Sequence, residues 1–179
     1  MKPLFLTISK DQTLRLWNYE THTPDLTKEF AEDMYSVALH PNGMHCAVAF
    51  TDKLRLYHIL VDDLRLCTEL PIKACKEVKF SSGGSWLAAA NGNAIAVYDF
   101  HRGERMADLR GHNSKVRGLD WLESGNLLSC GQDGAVYVWD IEGGRRLGEF
   151  VHKGVVFSAV THAPENNESI FVVGNDNSI

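Results

Sequence analysis

The sequence predicts an all-β fold built from short antiparallel strands in repeated units of about 41 residues. A segment that alternates apolar with other residues and ends in an aromatic residue occurs four times: Leu14–Trp17, Leu54–Tyr57, Ile95–Tyr98 and Val136–Trp139. Successive aromatic residues in this series are 40 or 41 positions apart. Alternation with a period of two indicates strands with one buried face, and no long stretch has the 3.6-residue period of an amphipathic helix.

Two further markers repeat in register with these strands. One is a short polar residue suited to tight turns, found before each strand at Asp11, Asp52, Asn93, Asp133 and Asp176. The other is an apolar pair further upstream, seen at Val37 and Leu39, at Val78 and Phe80, at Leu119 and Trp121 and, in part, at Val160. Three markers in one register indicate a genuine internal repeat.

Each unit has room for four strands, which we label a to d. In the best-formed unit the predicted strands are Lys115–Trp121, Asn126–Cys130, Ala135–Trp139 and Arg145–Phe150. Four strands in about 41 residues make one blade of a β-propeller. We therefore expect residues 1–179 to form an incomplete β-propeller of about four blade-equivalents, with a partial blade at 1–30, blades at 31–70, 71–110 and 111–150, and a partial blade at 151–179.

The partial blades at the two ends of the chain are expected to leave open edges. The chain is expected to begin in strand b of one blade and to end in strand c of another, as an excerpt of a longer ring would. Uncovered blade edges expose apolar faces and unpaired backbone groups. We expect the chain to self-associate through these open edges.

Composition narrows the classes of partner and cofactor. The net charge is −5, with no basic run, which argues against nucleic acid and anionic membranes as partners. No apolar run approaches the length of a membrane helix or a signal peptide, so a cytoplasmic protein is expected. The four cysteines lack zinc-ligand spacing and are expected to be small core or strand residues. No metal and no cofactor is predicted.

The fourth unit holds the most informative motif. Gly111-His112 is followed, 27 residues after the histidine, by Trp139-Asp140, with Ser129 and Asp133 between them. A serine, a histidine and an aspartate could form a nucleophilic triad. Ser129, however, falls in the middle of a predicted strand and not on an exposed turn, so we predict no catalytic residues and no enzyme.

This motif resembles the GH…WD signature of the WD-repeat family. The resemblance implies that His112, Ser129, Asp133 and Trp139 form a buried structural tetrad that ties the d–a loop to strands b and c. The first unit retains a partial tetrad, namely Thr7, Asp11 and Trp17. Other units keep fewer of these residues.

Several segments are similar to one particular family within this group, the cilia- and flagella-associated protein 57 family. They are Lys10–Thr21 (KDQTLRLWNYET), Asp52–Leu66 (DKLRLYHILVDDLRL), Cys75–Tyr98 (CKEVKFSSGGSWLAAANGNAIAVY) and Gly131–Trp139 (GQDGAVYVW). The resemblance implies a scaffold of the ciliary or flagellar axoneme that helps to place or regulate inner dynein arms, with axonemal or dynein-associated proteins as partners. A generic WD-repeat adaptor in signalling or ubiquitin-ligase assembly is the alternative.

The loops that join strand d to strand a give the candidate partner-binding face. They contain Tyr35, Lys76, Lys115 and Lys153, and their mixed charge favours a protein over a nucleic acid. Tyr35 is the first residue to test because tyrosine is enriched at energetic hot spots. The alternative is that Tyr35 only packs at the start of its strand.

Overall fold

The computed structural model describes residues 3–163 and 169–175, and this part of the chain contains strands and turns without a helix. Asp176, predicted as the fifth turn residue, lies outside the described residues. By internal contacts the chain divides into two compact units, Met1–Val78 and Lys79–Ile179. Within the described ranges no helix is long and apolar enough to cross a membrane.

The first unit contains a three-stranded and a four-stranded antiparallel sheet, with strands in sequence order. The three-stranded sheet consists of β1 (Leu4–Ile8), β2 (Thr13–Asn18) and β3 (Thr23–Glu29). The four-stranded sheet consists of β4 (Ser36–Leu39), β5 (His45–Ala49), β6 (Leu54–Ile59) and β7 (Leu64–Leu70). A core that includes Leu14, Leu26, Val48 and Phe50 lies between the two sheets.

The next sheet consists of β8 (Cys75–Phe80), β9 (Trp86–Asn91), β10 (Ala94–Asp99) and β11 (Arg105–Arg110). Its strands have the order β11-β10-β9-β8. The unit boundary falls within β8.

Two more sheets complete the second unit. The four-stranded sheet consists of β12 (Val116–Trp121), β13 (Leu127–Gly131), β14 (Ala135–Asp140) and β15 (Arg145–Val151), and the last sheet pairs β16 (Phe157–His162) with β17 (Ile170–Gly174). These β12 to β15 bounds lie within one residue of the predicted strands. The core joins apolar side chains of β9–β11, such as Ile95 and Val97, to those of β12–β14, such as Tyr137 and Trp139.

The predicted turn residues explain why these strands form hairpins. Asp11 Oδ1 accepts a bond from the backbone N–H of Thr13 at 3.0 Å, which closes the turn between β1 and β2. Asp133 is followed by Gly134, whose φ of +71° suits the left-handed position of a hairpin turn. The fold class is therefore the predicted one, an all-β, partial β-propeller of antiparallel sheets, and three of the sheets that the structure describes have four strands.

Candidate functional site

The structure brings the four residues of the GH…WD motif into one hydrogen-bonded chain. His112 lies in the loop before β12, Ser129 in the middle of β13, Asp133 in the following turn, and Trp139 in β14. The indole Nε1 of Trp139 donates to Ser129 Oγ at 2.8 Å. Ser129 Oγ is 2.8 Å from His112 Nε2, and His112 Nδ1 is 3.0 Å from Asp133 Oδ1. Asp133 also accepts the backbone N–H of Asn113 at 2.7 Å.

The pKa shifts of His112 and Asp133 indicate where the protons of this hydrogen-bonded network lie. Burial lowers the pKa of His112 and outweighs the opposing effect of Asp133. Burial alone would raise the pKa of Asp133, but the bonds from His112, Asn113 and Ala135 hold that pKa below its usual value. A neutral imidazole therefore donates from Nδ1 to an ionised Asp133 and accepts at Nε2 from the Ser129 hydroxyl. Each hydrogen-bond donor among these side chains therefore has an acceptor.

This chain has the contacts of a Ser–His–Asp triad but not its accessibility. Ser129 is 0% exposed and His112 is 3% exposed. A nucleophile must touch its substrate, and the Ser129 oxygen is enclosed by the imidazole and the Trp139 indole. What the arrangement does in the described fold is to attach the loop at His112 to β13 and β14. The candidate role of these four residues remains structural.

In the first unit the structure brings together two of the three residues proposed as a partial tetrad. Trp17 Nε1 donates to Thr7 Oγ1 at 2.8 Å, the same length as the bond between Trp139 and Ser129. Asp11 instead accepts the Thr13 hydroxyl at 2.6 Å. The Trp17 bond is exposed, so water can replace it.

Tyr35 and Lys76, two residues of the candidate partner face, are in direct contact. Lys76 Nζ lies 3.0 Å from the centroid of the Tyr35 ring, in a cation–π arrangement. The Thr51 hydroxyl donates to the Tyr35 hydroxyl at 3.3 Å, and Tyr35 remains 39% exposed. Lys115 and Lys153 are exposed loop residues of the second unit. The structure therefore brings together two residues of the candidate face, Tyr35 and Lys76.

Sequence reasoning missed a second polar cluster, centred on Asp120 in β12. Its carboxylate accepts bonds from Lys79 Nζ at 2.9 Å, Thr161 Oγ1 at 3.0 Å and His162 Nδ1 at 3.0 Å. Burial alone would raise the pKa of Asp120, but the bonds from Lys79, His162 and Thr161 outweigh it and lower the pKa. The cluster joins β8, β12 and β16, which are equivalent strands of successive sheets.

A signal for this cluster exists in the repeat itself. Lys79, Asp120 and Thr161 are 41 positions apart, and each lies inside or directly after the apolar marker of its strand a. This position is polar in three successive units. No group of three or more His, Cys, Asp or Glu residues that could hold a metal ion occurs in the described part of the chain.

Comparison with known proteins agrees with the repeat. Residues 103–140 match the WD40 family, described as "WD domain, G-beta repeat". The chain is 44% identical over 179 residues to cilia- and flagella-associated protein 57 of Mus musculus, covering 99% of this chain and 14% of the relative. It is 34% identical over 200 residues to cilia- and flagella-associated protein 57 C of Tetrahymena thermophila, covering 99% of this chain and 15% of that relative.

A more distant similarity extends to a second group of proteins. The chain is 27% identical over 143 residues to echinoderm microtubule-associated protein-like 2 of Mus musculus, covering 76% of this chain and 22% of that relative. The chain thus spans about one seventh of the length of the cilia- and flagella-associated proteins it matches. The resemblances predicted from the sequence, to WD repeats and to this family, are confirmed.

Proposed function

We propose that this protein is a non-catalytic, protein-binding scaffold of the cilium or flagellum. The chain carries a WD40 repeat and is 44% identical to part of a cilia- and flagella-associated protein. The 44% sequence identity, which extends over 99% of the chain, is the observation that carries this proposal. The buried position of Ser129 supports a scaffold over an enzyme, because a nucleophile must be accessible to its substrate.

The finer proposal places the protein in the axoneme, where it helps to position or regulate inner dynein arms. The names of two relatives support a microtubule-based location: one group is called cilia- and flagella-associated, and the other is called microtubule-associated. The partners would then be axonemal or dynein-associated proteins.

The Tyr35–Lys76 contact supports a protein partner. A tyrosine whose hydroxyl and ring are both held has little side-chain freedom left to lose when a partner covers it. Lys76 adds a positive charge over the face of that ring. Together they form a compact, amphipathic contact point of the kind that dominates binding energy at protein interfaces.

Location is tested by tagging the gene in a ciliated cell and following the tag through axoneme isolation. The tag is expected in demembranated axonemes and in the high-salt extract that releases dynein arms. A tag that remains in the cell body, with partners from signalling or ubiquitin-ligase complexes, would instead support the generic adaptor.

The binding surface is tested by comparing two tyrosine variants in the same tagged cells. Tyr35→Ala is expected to reduce recovery of axonemal partners several-fold, whereas Tyr19→Ala, which removes an exposed tyrosine of the β2–β3 turn, leaves recovery unchanged. Equal recovery with both variants contradicts the role of Tyr35 and leaves the ciliary location untouched.

A further inference from the structure

The first unit contains an open groove of about 980 Å³ between its two sheets. The groove is lined by β1, β2 and β3 on one side and by the turns that follow β4 and β6 on the other. Its volume is at the upper end of the range for small-molecule pockets, and it is only partly enclosed. A partly open groove of this size suits a segment of polypeptide.

The floor and rim of the groove are apolar. Leu16 and Leu26 form the floor and are almost completely buried in the unit's core. Met44, Leu60 and Val61 form the rim, and Val61 is 94% exposed. Three large apolar side chains around one groove expose a contiguous surface that gains free energy when it is covered.

The groove carries negative charge. Asp25 and Asp62 line it, and among the residues that the structure describes no Lys, Arg or His does. The neighbouring Asp63 is neutralised by Lys28 Nζ at 2.6 Å, whereas neither Asp25 nor Asp62 forms an ion pair within the described part of the chain. An apolar groove with two uncompensated carboxylates complements a ligand that combines an aliphatic side chain with a positive charge.

We propose that this groove binds a peptide segment of a partner protein, with an aliphatic side chain over Leu16 and Leu26 and a Lys or Arg beside Asp25 and Asp62. The site is separate from the Tyr35–Lys76 contact. Tyr35 directly precedes β4, whereas Met44 lies in the turn that follows this strand, so the two surfaces are at opposite ends of one sheet. The chain therefore has two contact surfaces within one unit.

The test selects displayed random 12-residue peptides on the full chain and measures the enriched peptides by fluorescence anisotropy. Enriched sequences are expected to place an aliphatic residue next to Lys or Arg. Their affinity is expected to fall by about tenfold or more on Asp25→Lys/Asp62→Lys, because two attractive charges become repulsive. Val61→Ser, an exposed change with little effect on folding, is expected to weaken binding as well.

A charge-matched control distinguishes the groove from general attraction to an acidic protein. Glu29→Lys/Asp52→Lys changes the net charge by the same amount at exposed positions outside the groove and is expected to leave affinity within about twofold. Three results overturn the proposal: no enriched peptide, equal binding by both double variants, or a dimer in sedimentation velocity that Val61→Ser abolishes. The last result would mean that a second copy of the chain occupies the groove.

Discussion

The indole N–H of Trp139 and the imidazole of His112 share a single buried hydroxyl oxygen, that of Ser129. Both bonds are 2.8 Å long, and the oxygen is inaccessible to water. Because a buried polar group without a partner loses its full hydration energy, this arrangement makes Ser129 more important to folding than its size suggests.

Ser129→Ala is therefore expected to lower the free energy of unfolding by about 2 kcal/mol, since two buried groups lose a partner at once. Urea denaturation followed by tryptophan fluorescence measures this loss. Thr7→Ala is the matched control, because it removes a bond of equal length to Trp17 at an exposed site. The control is expected to cost less than about 1 kcal/mol, and similar losses for both variants contradict the argument.

Stability is also expected to depend on pH through His112, whose pKa is lowered in the folded protein from 6.5 by burial. Between the folded pKa and 6.5, the unfolded chain binds more protons, so this contribution to stability is complete above pH 6.5 and decreases as pH falls below it. Asp133, with its lowered pKa, loses its contribution only below 3.8.

Comparison of wild type with His112→Gln isolates this effect from the other histidines. The difference in unfolding free energy is expected to be larger near pH 7.5 than near pH 5.5, because only the wild type has to bury this titrating ring. Chemical denaturation at the two pH values gives the difference. A gap that is independent of pH contradicts the neutral state assigned to His112.

Asp120→Ala is expected to destabilise the second unit by about 2 to 4 kcal/mol, because the variant removes the common acceptor of Lys79, Thr161 and His162. Asp108→Ala provides the comparison. Asp108 pairs with Arg105 at 2.8 Å and with Arg110 at 3.1 Å near the surface, and its loss is expected to cost less than about 1 kcal/mol. Thermal unfolding of the two variants in parallel checks the order, and an equal shift contradicts a special role for Asp120.

Gly134→Ala is expected to be among the most damaging single changes in the β13–β14 hairpin. A Cβ at this position would collide with the backbone oxygen of His152 and lie 2.7 Å from that of Val155, neither of which can move freely. Gly144 has a similar φ, +60° against +71°, with nothing within 4 Å of its Cβ position. Gly144→Ala is expected to lower the free energy of unfolding by only about 1 kcal/mol, the cost of placing alanine in a left-handed backbone conformation. Gly134→Ala is expected to lower it by clearly more, and urea denaturation measures both losses.

The strands and turns of this protein were predictable because their causes are local. Asp133-Gly134 specifies the turn before β14. The expectation of one buried face was wrong for this strand, because Tyr137 lies in one core cluster and Val136 in another. The turn residues and the apolar alternation recur about every 41 residues, so each unit supports the assignment of the others. The four residues of the GH…WD motif could be named in advance because they resemble the signature of the WD-repeat family.

Tertiary structure decided which side chains of neighbouring sheets are in contact. Lys76 reaches Tyr35, and Asp120 reaches Lys79 and His162, because the sheets stack so that residues about 41 positions apart become neighbours. The groove beside Val61 likewise depends on the gap left between two sheets. The sequence by itself thus determined the strands and turns, through short-range periodicity and turn chemistry, and its resemblance to WD repeats pointed to the tetrad. Packing determined the contacts and surfaces, because distances between sheets are not encoded in any local pattern.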